Sequence, residues 1–284
     1  MQNMFQTFPR SFEGREIISV GPKSDQFHLI KDLISLKSKD KSIFVIEGLW
    51  GYRKIVSMGI HVRLFCFCPD YISSEEELEL VKGFIRIADE SAYVSDKLCA
   101  RMSDRDSTEG FFVVADYPTK TVADIPLKEN NLIIITDGLD KPGNIGTIIR
   151  SAEAAGCDAV ISVNTRVPLS QHRLIKASLG GSLTLPVISM DVNDCIQWLK
   201  DNGFTLYITN LKSARWHYEE SYQGRAAIVA GNEIRGISDI WNQCDVPHVN
   251  IKIPMFGQCD SLNVGFASTM VAYEASLKQK GLIK

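Results

Sequence analysis

Residues 132–155, LIIITDGLDKPGNIGTIIRSAEAA, carry the clearest fold information in the chain. They open with a continuous β-branched run at 132–136, which predicts a strand buried on both faces. Pro142-Gly143 predicts a tight turn, and Asn144 is a residue type that favours a helix N-cap. The apolar periodicity that follows predicts a helix over 144–155. Strand, turn and helix in this order are the repeating unit of an α/β fold.

The same unit recurs towards the C-terminus. Continuous apolar runs predict further strands at residues 159–163, 204–209, 226–230 and 248–253. Helical stretches are predicted at residues 171–179, 192–202 and 265–277. Strands of this kind, joined by crossover helices, predict a parallel sheet covered on both faces. A ligand lies beyond the carboxyl ends of the strands in such sheets, so the residues that follow each run are candidates for a site.

The chain before this sheet predicts a smaller α/β/α layer. Its strands are predicted at 43–47, 64–68 and 110–115, and its helices at 52–60 and 75–88. Residues 118–131, with Pro126 among them, are typical of a linker. We therefore divide the chain into an N-terminal extension (1–21), a small domain (22–120), a linker (121–131) and a second domain (132–284).

Composition agrees with a folded protein of two domains. Of 284 residues, 45% are hydrophobic and 23% are charged, which excludes disordered, collagen-like and coiled-coil proteins. No run approaches the roughly 18 apolar residues of a membrane helix, and the start lacks the order of a signal peptide. We expect a cytoplasmic protein with no membrane partner.

The seven cysteines predict no special site. Their number is odd and no C-x-x-C pair occurs, which argues against a disulfide framework and against a zinc ribbon. We expect them to be reduced and buried.

Arg150 lies nearly two turns into the predicted helix, among Ile145, Ile148 and Ile149. A guanidinium in such an apolar neighbourhood needs an anionic partner, and its planar fork suits a phosphate. The alternative is that the stem of the side chain passes the apolar residues and reaches solvent.

Two further motifs follow strands, GNEIRG at 231–236 and PMFGQCDSLNV at 254–264. Glu233 is the carboxylate of the first. In the second, Ser261 is predicted to cap the last helix and Asn263 to lie in its first turn. Neither motif is a G-x-G-x-x-G or a Walker fingerprint, so a nicotinamide or ATP enzyme loses support.

In this order and spacing, the three motifs resemble the SpoU (TrmH-like) branch of the SPOUT RNA ribose 2′-O-methyltransferases, over residues 132–277. The small domain is similar, more weakly, to the substrate-binding domain of that family, which resembles ribosomal protein L30e. That similarity rests on VIEG at 45–48, VSDK at 94–97 and STEG at 107–110.

The resemblance implies a parallel sheet whose segment 231–277 forms a C-terminal trefoil knot, with S-adenosylmethionine bound in the knot. It also implies a homodimer in which Arg150 reaches the site beside the partner's cofactor. The implied cofactor contacts are Thr209, Gly231, Ile253 and Leu262. The implied catalytic residues are Asn144, Arg150, Glu233, Ser261 and Asn263. No metal is required.

Methyl transfer from a sulfonium is an in-line displacement, so holding the ribose hydroxyl close to the methyl group should dominate catalysis. A neutral guanidinium is costly at pH 7. We therefore expect Arg150 to anchor an RNA phosphate and stabilise the developing alkoxide, while a phosphate oxygen or water takes the proton.

The chain departs from the family pattern at two places. Ile234-Arg235 lies where a glycine commonly follows the glutamate, and Gly265-Phe266 lies where Ser-Val is usual. These departures put in question the shape of the cofactor loop and the dimer contact. Arg235 either adds a phosphate contact at the rim or is merely exposed.

RNA binding must come from a local basic patch, because the net charge is −3. The candidates in the small domain are Lys37, Lys39, Lys41, Arg53 and Lys54, which are also typical of an ordinary solvated surface. Secondary candidates are His172, Arg173 and Lys176. A 2′-hydroxyl target excludes DNA.

The sequence thus favours a methyltransferase acting on structured RNA, with ribosomal RNA preferred over transfer RNA because of the added small domain. A tRNA 2′-O-methyltransferase stays open. So does a non-catalytic RNA-binding or ribosome-assembly protein on the same fold, although such a protein has no physical need to keep Arg150, Glu233, Ser261 and Asn263 together.

Overall fold

The computed structural model describes residues 9–104, 108–213 and 215–283. Contacts divide them into two compact units. The first unit comprises the described residues up to Pro118 together with Ser170–Lys176, and the second comprises Thr119–Leu169 together with those from Ala177 on. Residues 1–8 of the predicted extension and Ser107 of the STEG motif lie outside the described residues.

The first unit is built on a mixed sheet. Its strands are β1 (Ser11–Phe12), β2 (Arg15–Ser19), β3 (Ile43–Glu47), β4 (Val62–Phe67), β5 (Ala88–Tyr93) and β6 (Phe111–Asp116), and its helices are α1 (Asp25–Ile34), α2 (Tyr52–Ser57), α3 (Glu75–Ile87) and α4 (Asp96–Met102). The strand order among the described residues is β1-β2-β5-β4-β6-β3. β5 pairs in parallel with β2 and β4, whereas β6 pairs antiparallel with β4 and β3. The predicted extension therefore contributes two strands to this sheet.

Local chemistry explains the elements that the sequence predicted in this unit. All five residues of β3 are buried, as its apolar run requires. α3 begins where the Ser74 side chain accepts a hydrogen bond from the Glu77 backbone N–H at 3.1 Å. The glutamates of its first turn lie at the positive end of the helix dipole. The predicted boundaries of the strands and of α3 hold to within two residues, whereas α2 ends at Ser57, three residues before the predicted end at 60.

The second unit is built on a parallel sheet. Its strands are β7 (Asn131–Asp137), β8 (Ala159–Val163), β9 (Val187–Ser189), β10 (Thr205–Thr209), β11 (Arg215–Trp216), β12 (Arg225–Gly231) and β13 (His248–Lys252). Helices in this part of the chain are α5 (Pro142–Ala155), α6 (His172–Ala177), α7 (Gly181–Thr184), α8 (Val192–Asp201), α9 (Ile240–Gln243) and α10 (Val264–Gln279), of which α6 belongs almost entirely to the first unit. The strand order among the described residues is β11-β13-β10-β12-β7-β8-β9, and neighbouring strands run parallel. The predicted parallel sheet is confirmed.

Burial on both faces of this sheet accounts for the continuous apolar strands. Every residue of β7 and of β8 is buried. α10 packs against α5, and Thr269 Oγ1 donates a hydrogen bond to Ser151 Oγ at 2.6 Å. Ile125, within the predicted linker, is buried in the core of this unit. The linker segment is thus partly packed.

One predicted helix is too long. The sequence predicts a helix over 171–179, but α6 ends at Ala177. Leu179 and Gly180 follow with φ values of 46° and 70°, and such left-handed backbone ends a right-handed helix. α7 then forms as a separate short turn.

The cysteines are mostly buried, as expected. Cys66, Cys68, Cys99, Cys157 and Cys195 are buried, whereas Cys244 is half-buried and Cys259 is exposed. Burial raises the pKa of the Cys195 thiol to about 12, so this thiol stays protonated.

Across the described ranges, the helices do not combine the length and the apolar character that crossing a bilayer requires.

Candidate active site

A cavity of about 700 Å³ lies at the carboxyl ends of β10, β12 and β13 in the second unit. This volume is in the range of small-molecule sites. The four predicted cofactor contacts, Thr209, Gly231, Ile253 and Leu262, line it. Glu233, Ser261 and Asn263 line it as well. The structure therefore brings seven of the nine predicted site residues to one cavity.

Gly231 ends β12 where another backbone segment passes very close. A Cβ atom at this position would lie 2.6 Å from the carbonyl carbon and oxygen of Gly236 and 2.5 Å from Ile237 Cγ1. Atoms do not approach so closely, so the loop can fold back over residue 231 only if that residue is glycine. Two backbone hydrogen bonds of 2.9 Å between Asn232 and Gly236 fix the fold of the loop.

The Asn232 side chain organises the same loop. Its Oδ1 accepts hydrogen bonds from the backbone N–H groups of Ile234 and Arg235 at 2.9 and 3.0 Å. Its Nδ2 donates to the carbonyl of Gly138 at 2.7 Å. The loop therefore needs no glycine at 234 or 235. Ile234 is 93% exposed, and the exposed Arg235 donates to the Asp140 carboxylate at 3.2 Å. The first departure from the family pattern leaves the turn intact.

Asn144, Glu233 and Asn263 form a chain of hydrogen bonds. Asn144 Nδ2 donates to Glu233 Oε1, and Asn263 Nδ2 donates to Asn144 Oδ1 at 3.2 Å. Asn263 Oδ1 in turn accepts from the backbone N–H of Gly265 at 2.9 Å. Because Glu233 accepts from Asn144 Nδ2, the Oδ1 of Asn144 faces Asn263, whose Nδ2 donates to it. Three separate segments are thereby held in one geometry.

Both predicted helix starts at this site are wrong. Asn144 is not an N-cap, because α5 begins at Pro142, whose fixed φ suits a first helical position. Its amide is free to bind Glu233 for that reason. Asn263, and not Ser261, caps α10, while Ser261 is exposed at the cavity wall.

Gly265 explains the second departure. A Cβ atom here would lie 3.0 Å from Thr147 Cγ2 and 3.1 Å from Asn263 Oδ1. These distances are tighter than ordinary contacts, so glycine lets α10 begin close against α5. The neighbouring Phe266 is 66% exposed.

Arg150 does not lie among apolar side chains. It is exposed on α5, and the isoleucines at 145, 148 and 149 are buried on the other side of the helix. Among the described residues it has no hydrogen bond or ion pair, and it is not part of the cavity wall. The guanidinium is therefore available to an anion from outside the unit.

Asp137 was among the strand-end candidates from the sequence but was given no role, and Lys141 was missed. Asp137 is the last residue of β7 and accepts hydrogen bonds from Asn164 and from Ser238. Lys141 lines the cavity. A role for Asp137 could have been found from its position, because a carboxylate directly after a buried strand needs donors. Lys141 stands in a turn and carries no comparable signal.

The basic candidates of the first unit are mostly solvent-accessible. Lys37, Lys39, Lys41 and Arg53 are exposed, and Lys54 is half-buried. The first three lie between α1 and β3, and the other two lie on α2. No salt bridge to these five side chains is found in the part of the chain that the structure describes.

The prediction for His172 is wrong, because this side chain is buried. Its Nδ1 donates to the carbonyl of Val45 at 3.1 Å, and burial lowers its pKa. Arg173 and Lys176 lie 3.4 and 3.5 Å from the carboxylate of Asp104.

Ligand atoms of Asp104, His172 and Glu47 lie within 4.8 Å of one another, but the two cations already balance Asp104, so we do not assign a metal centre.

A parallel sheet with a ligand-sized cavity at its carboxyl ends places the second unit among α/β proteins that bind a small molecule where their strands end. The family model of the SpoU rRNA Methylase family matches residues 131–273, half of the chain, and the chain belongs to that family.

Relatives and solved structures agree with this assignment. A Staphylococcus epidermidis protein assigned to the TrmH family of tRNA/rRNA methyltransferases is 37% identical over 152 residues, which are 53% of this chain and 60% of the relative. The 23S rRNA (guanosine(2553)-2′-O)-methyltransferase RlmP of Bacillus subtilis is 29% identical over 142 residues, 50% of this chain and 56% of RlmP. The matches thus span less than two thirds of these relatives.

The crystal structure of an RNA 2′-O ribose methyltransferase superposes with a TM-score of 0.79 at 27% identity, covering 94% of this chain and 99% of the other. The expected α/β fold of SPOUT methyltransferases is therefore confirmed. The trefoil knot and the likeness of the first unit to L30e stay predictions.

Proposed function

We propose that this protein transfers a methyl group from S-adenosylmethionine to a ribose 2′-hydroxyl in structured RNA, with ribosomal RNA as the substrate. The observation that carries the proposal is the convergence of residues from three motifs on one cavity. Family membership and the 2′-O-methyltransferases among the relatives support it. The cytoplasm, where such RNA is found, is the proposed location.

The cavity fits the proposed cofactor. At the wall, Gly231 lies directly against the backbone of Gly236, so loop 232–236 stays close to the carboxyl end of β12 beside the space for the ligand. Thr209, Ile253 and Leu262 are the other proposed contacts. S-adenosylmethionine supplies a methyl group on a positively charged sulfur. Glu233 and the apolar residues Ile208 and Val271 of the wall give the cavity the mixed character that such a ligand requires.

The chain's residues act mainly by positioning. The Glu233–Asn144–Asn263 chain of hydrogen bonds holds the cavity wall in one arrangement and requires no reorganisation during the reaction. Arg150, exposed and unpaired within the described residues, binds a phosphate next to the target ribose and stabilises negative charge on its 2′-oxygen. Ser261, at the wall, is placed to hydrogen-bond the substrate. A phosphate oxygen or water accepts the proton.

A homodimer through the second unit completes the proposal. Phe266, Met270 and Tyr273 are spaced as one face of α10 and are 66%, 47% and 42% exposed. An apolar stripe of this size on a helix otherwise packed on α5 is typical of a subunit contact. A second copy covers it and brings its own Arg150 to the site. Sedimentation should give twice the chain mass of 31.7 kDa, and replacing both Phe266 and Met270 by glutamate should give an inactive monomer. A fully active monomeric wild type would exclude the shared site.

RNA is bound in part by the basic candidates of the first unit. Phosphate contacts release counterions, so RNA affinity should fall steeply with salt and should fall further on loss of Lys39 or Lys41. A flat salt titration would exclude the patch.

The deciding experiment is methyl transfer to defined RNA fractions. The full chain is incubated with methyl-labelled S-adenosylmethionine and, separately, with ribosomal RNA and transfer RNA. We expect label in ribosomal RNA, recovered in alkali-resistant dinucleotides, because a 2′-O-methyl group blocks attack of that oxygen on the neighbouring phosphate. Label in transfer RNA alone would overturn the proposal that ribosomal RNA is the substrate. Alkali-sensitive label would overturn the proposal that the methyl group is on the ribose 2′-oxygen. No label in either fraction would favour the non-catalytic alternative.

A further inference from the structure

Asp137 is a buried carboxylate at the point where β7 ends, and it is 3% exposed. Its Oδ2 accepts hydrogen bonds from the backbone N–H of Ser238 at 2.9 Å, from Ser238 Oγ, and from Trp241 Nε1 at 3.1 Å. Its Oδ1 accepts from Asn164 Nδ2 at 2.7 Å. Four donors therefore surround one carboxylate.

These partners are neutral. Within the described ranges, no salt bridge involves Asp137. A buried carboxyl group without a salt-bridge partner depends on hydrogen bonds from fixed donors, and the loss of any one leaves an oxygen with an unfilled acceptor position. The arrangement is therefore sensitive to a change at any of the four bonds.

The partners also come from different segments. Asn164 follows β8, and Ser238 closes the loop that leaves β12. That loop is tied down at both ends, because Asn232 donates to the carbonyl of Gly138 at its start and Ser238 donates to Asp137 at its end. Between the two anchors lies Glu233, which binds Asn144.

We propose that Asp137 is a positioning residue for the cavity at the carboxyl ends of β10, β12 and β13: it fixes loop 232–238, and through that loop the close contact at Gly231 and the position of Glu233, in the arrangement that binds S-adenosylmethionine. This inference rests on the proposed function for the identity of the ligand. It assigns a role to a side chain that does not line the cavity and touches no substrate.

Asp137→Asn is the sharpest test, because it keeps size and shape and replaces one acceptor oxygen by an N–H₂ group. Whichever way the new amide turns, it points a donor at the Asn164 amide or at the Ser238 and Trp241 donors. The matched control is Asp158→Asn. Asp158 accepts from the backbone of Leu132 at 2.9 Å and from Lys128, at the opposite end of β7 and away from the cavity.

The first readout needs no activity. Hydrogen exchange of the full chain should become faster in residues 232–241 of the Asp137→Asn variant, while the sheet strands exchange as in the wild type. In the Asp158→Asn variant, residues 232–241 should exchange at the wild-type rate. The second readout is affinity for S-adenosylhomocysteine by calorimetry, which should fall about tenfold or more only in Asp137→Asn. In methyl transfer, KM for the donor should rise while KM for RNA stays unchanged.

A second pair of variants guards against misfolding. Ser238→Ala removes one donor to Asp137, whereas Ser238→Thr keeps the hydroxyl at a half-buried position. Ser238→Ala should show a smaller version of the same exchange and affinity changes, and Ser238→Thr should restore both.

Unchanged exchange in 232–241 together with affinity within twofold of wild type would overturn the proposal, as would equal effects of Asp137→Asn and Asp158→Asn. Failure of the wild type to methylate RNA would overturn the proposed function but would leave the exchange result standing, so the two failures are distinguishable.

Discussion

Asn263 performs two tasks that substitution can separate. Its Oδ1 caps α10 by accepting from the Gly265 N–H, and its Nδ2 donates to Asn144. Asn263→Asp keeps an acceptor for the cap and adds negative charge at the positive end of the helix dipole. It cannot donate to Asn144 Oδ1, however, and it places a second carboxylate close to Glu233. We expect stability to be kept and methyl transfer to be lost.

Asn263→Ala removes both tasks. Losing an N-cap side chain costs typically about 1 kcal/mol, and for a unit of this size that lowers Tm by about 2–4 °C. The hydrogen bond to Asn144 is 3.2 Å long and solvent-accessible, so it adds little to this cost. Asn263→Ala should therefore be both less stable and less active, whereas Asn263→Asp should be affected in activity alone.

Thermal unfolding followed by circular dichroism measures the first effect, and transfer of labelled methyl groups to RNA measures the second. Turnover of the Asn263→Asp variant within about threefold of wild type would show that the donor to Asn144 is dispensable. An unchanged Tm for Asn263→Ala would refute the assignment of the cap.

Three further outcomes are expected. Arg150→Ala should leave the fold and S-adenosylmethionine binding intact, because the exposed side chain has no partner in the described part of the chain. It should lower kcat about a hundredfold or more, and a near-normal kcat would exclude the proposed role of Arg150 in binding the phosphate and stabilising the 2′-oxygen. Gly231→Ala should weaken S-adenosylhomocysteine binding about tenfold or more by displacing the loop backbone, whereas Gly257→Ala, with open space around its Cβ, should bind normally in calorimetry. Protonated His61 donates hydrogen bonds to Asp89 and to Asp116, and these bonds raise its pKa. The interaction therefore stabilises the protein fully below the ordinary pKa of 6.5 and is lost as pH rises through the raised value. Denaturant unfolding should show His61→Gln to be less stable than wild type at about pH 5.5 and equal to it at about pH 9; a difference independent of pH would exclude the linkage.

The fold of the second unit was predictable because its strands are buried on both faces. Few structures other than a central strand bury a continuous β-branched run completely. The five predicted runs all occur in the sheet, as β7, β8, β10, β12 and β13. The strands that were missed give weaker signals. β5 is ADESAY and carries the exposed Asp89 and the half-buried Glu90, while β1, β9 and β11 have only two or three residues each. Their pairing is decided by neighbouring strands and not by their own composition.

The site was predictable as a set of residues but not as a geometry. The motifs indicated which side chains converge, and the cavity contains most of them. The helix caps could not be decided from the sequence, because Asn144 and Ser261 both have side chains that suit a cap. The observed arrangement depends on tertiary hydrogen bonds from Asn144 to Glu233 and from Asn263 to Asn144. Arg150 was misplaced for a related reason, since apolar neighbours in sequence lie on the opposite side of a helix.

The exposure of Cys259 has a practical consequence. This thiol stands on the segment between Ile253 and Ser261, both of which line the cavity, while five of the other six cysteines are buried and the sixth is half-buried. A maleimide dye added to the native protein should therefore attach first at this single position. The wild-type chain thus provides its own attachment point for a fluorophore beside the cavity, and a change in emission on adding ligand would follow occupancy in real time without any engineered residue.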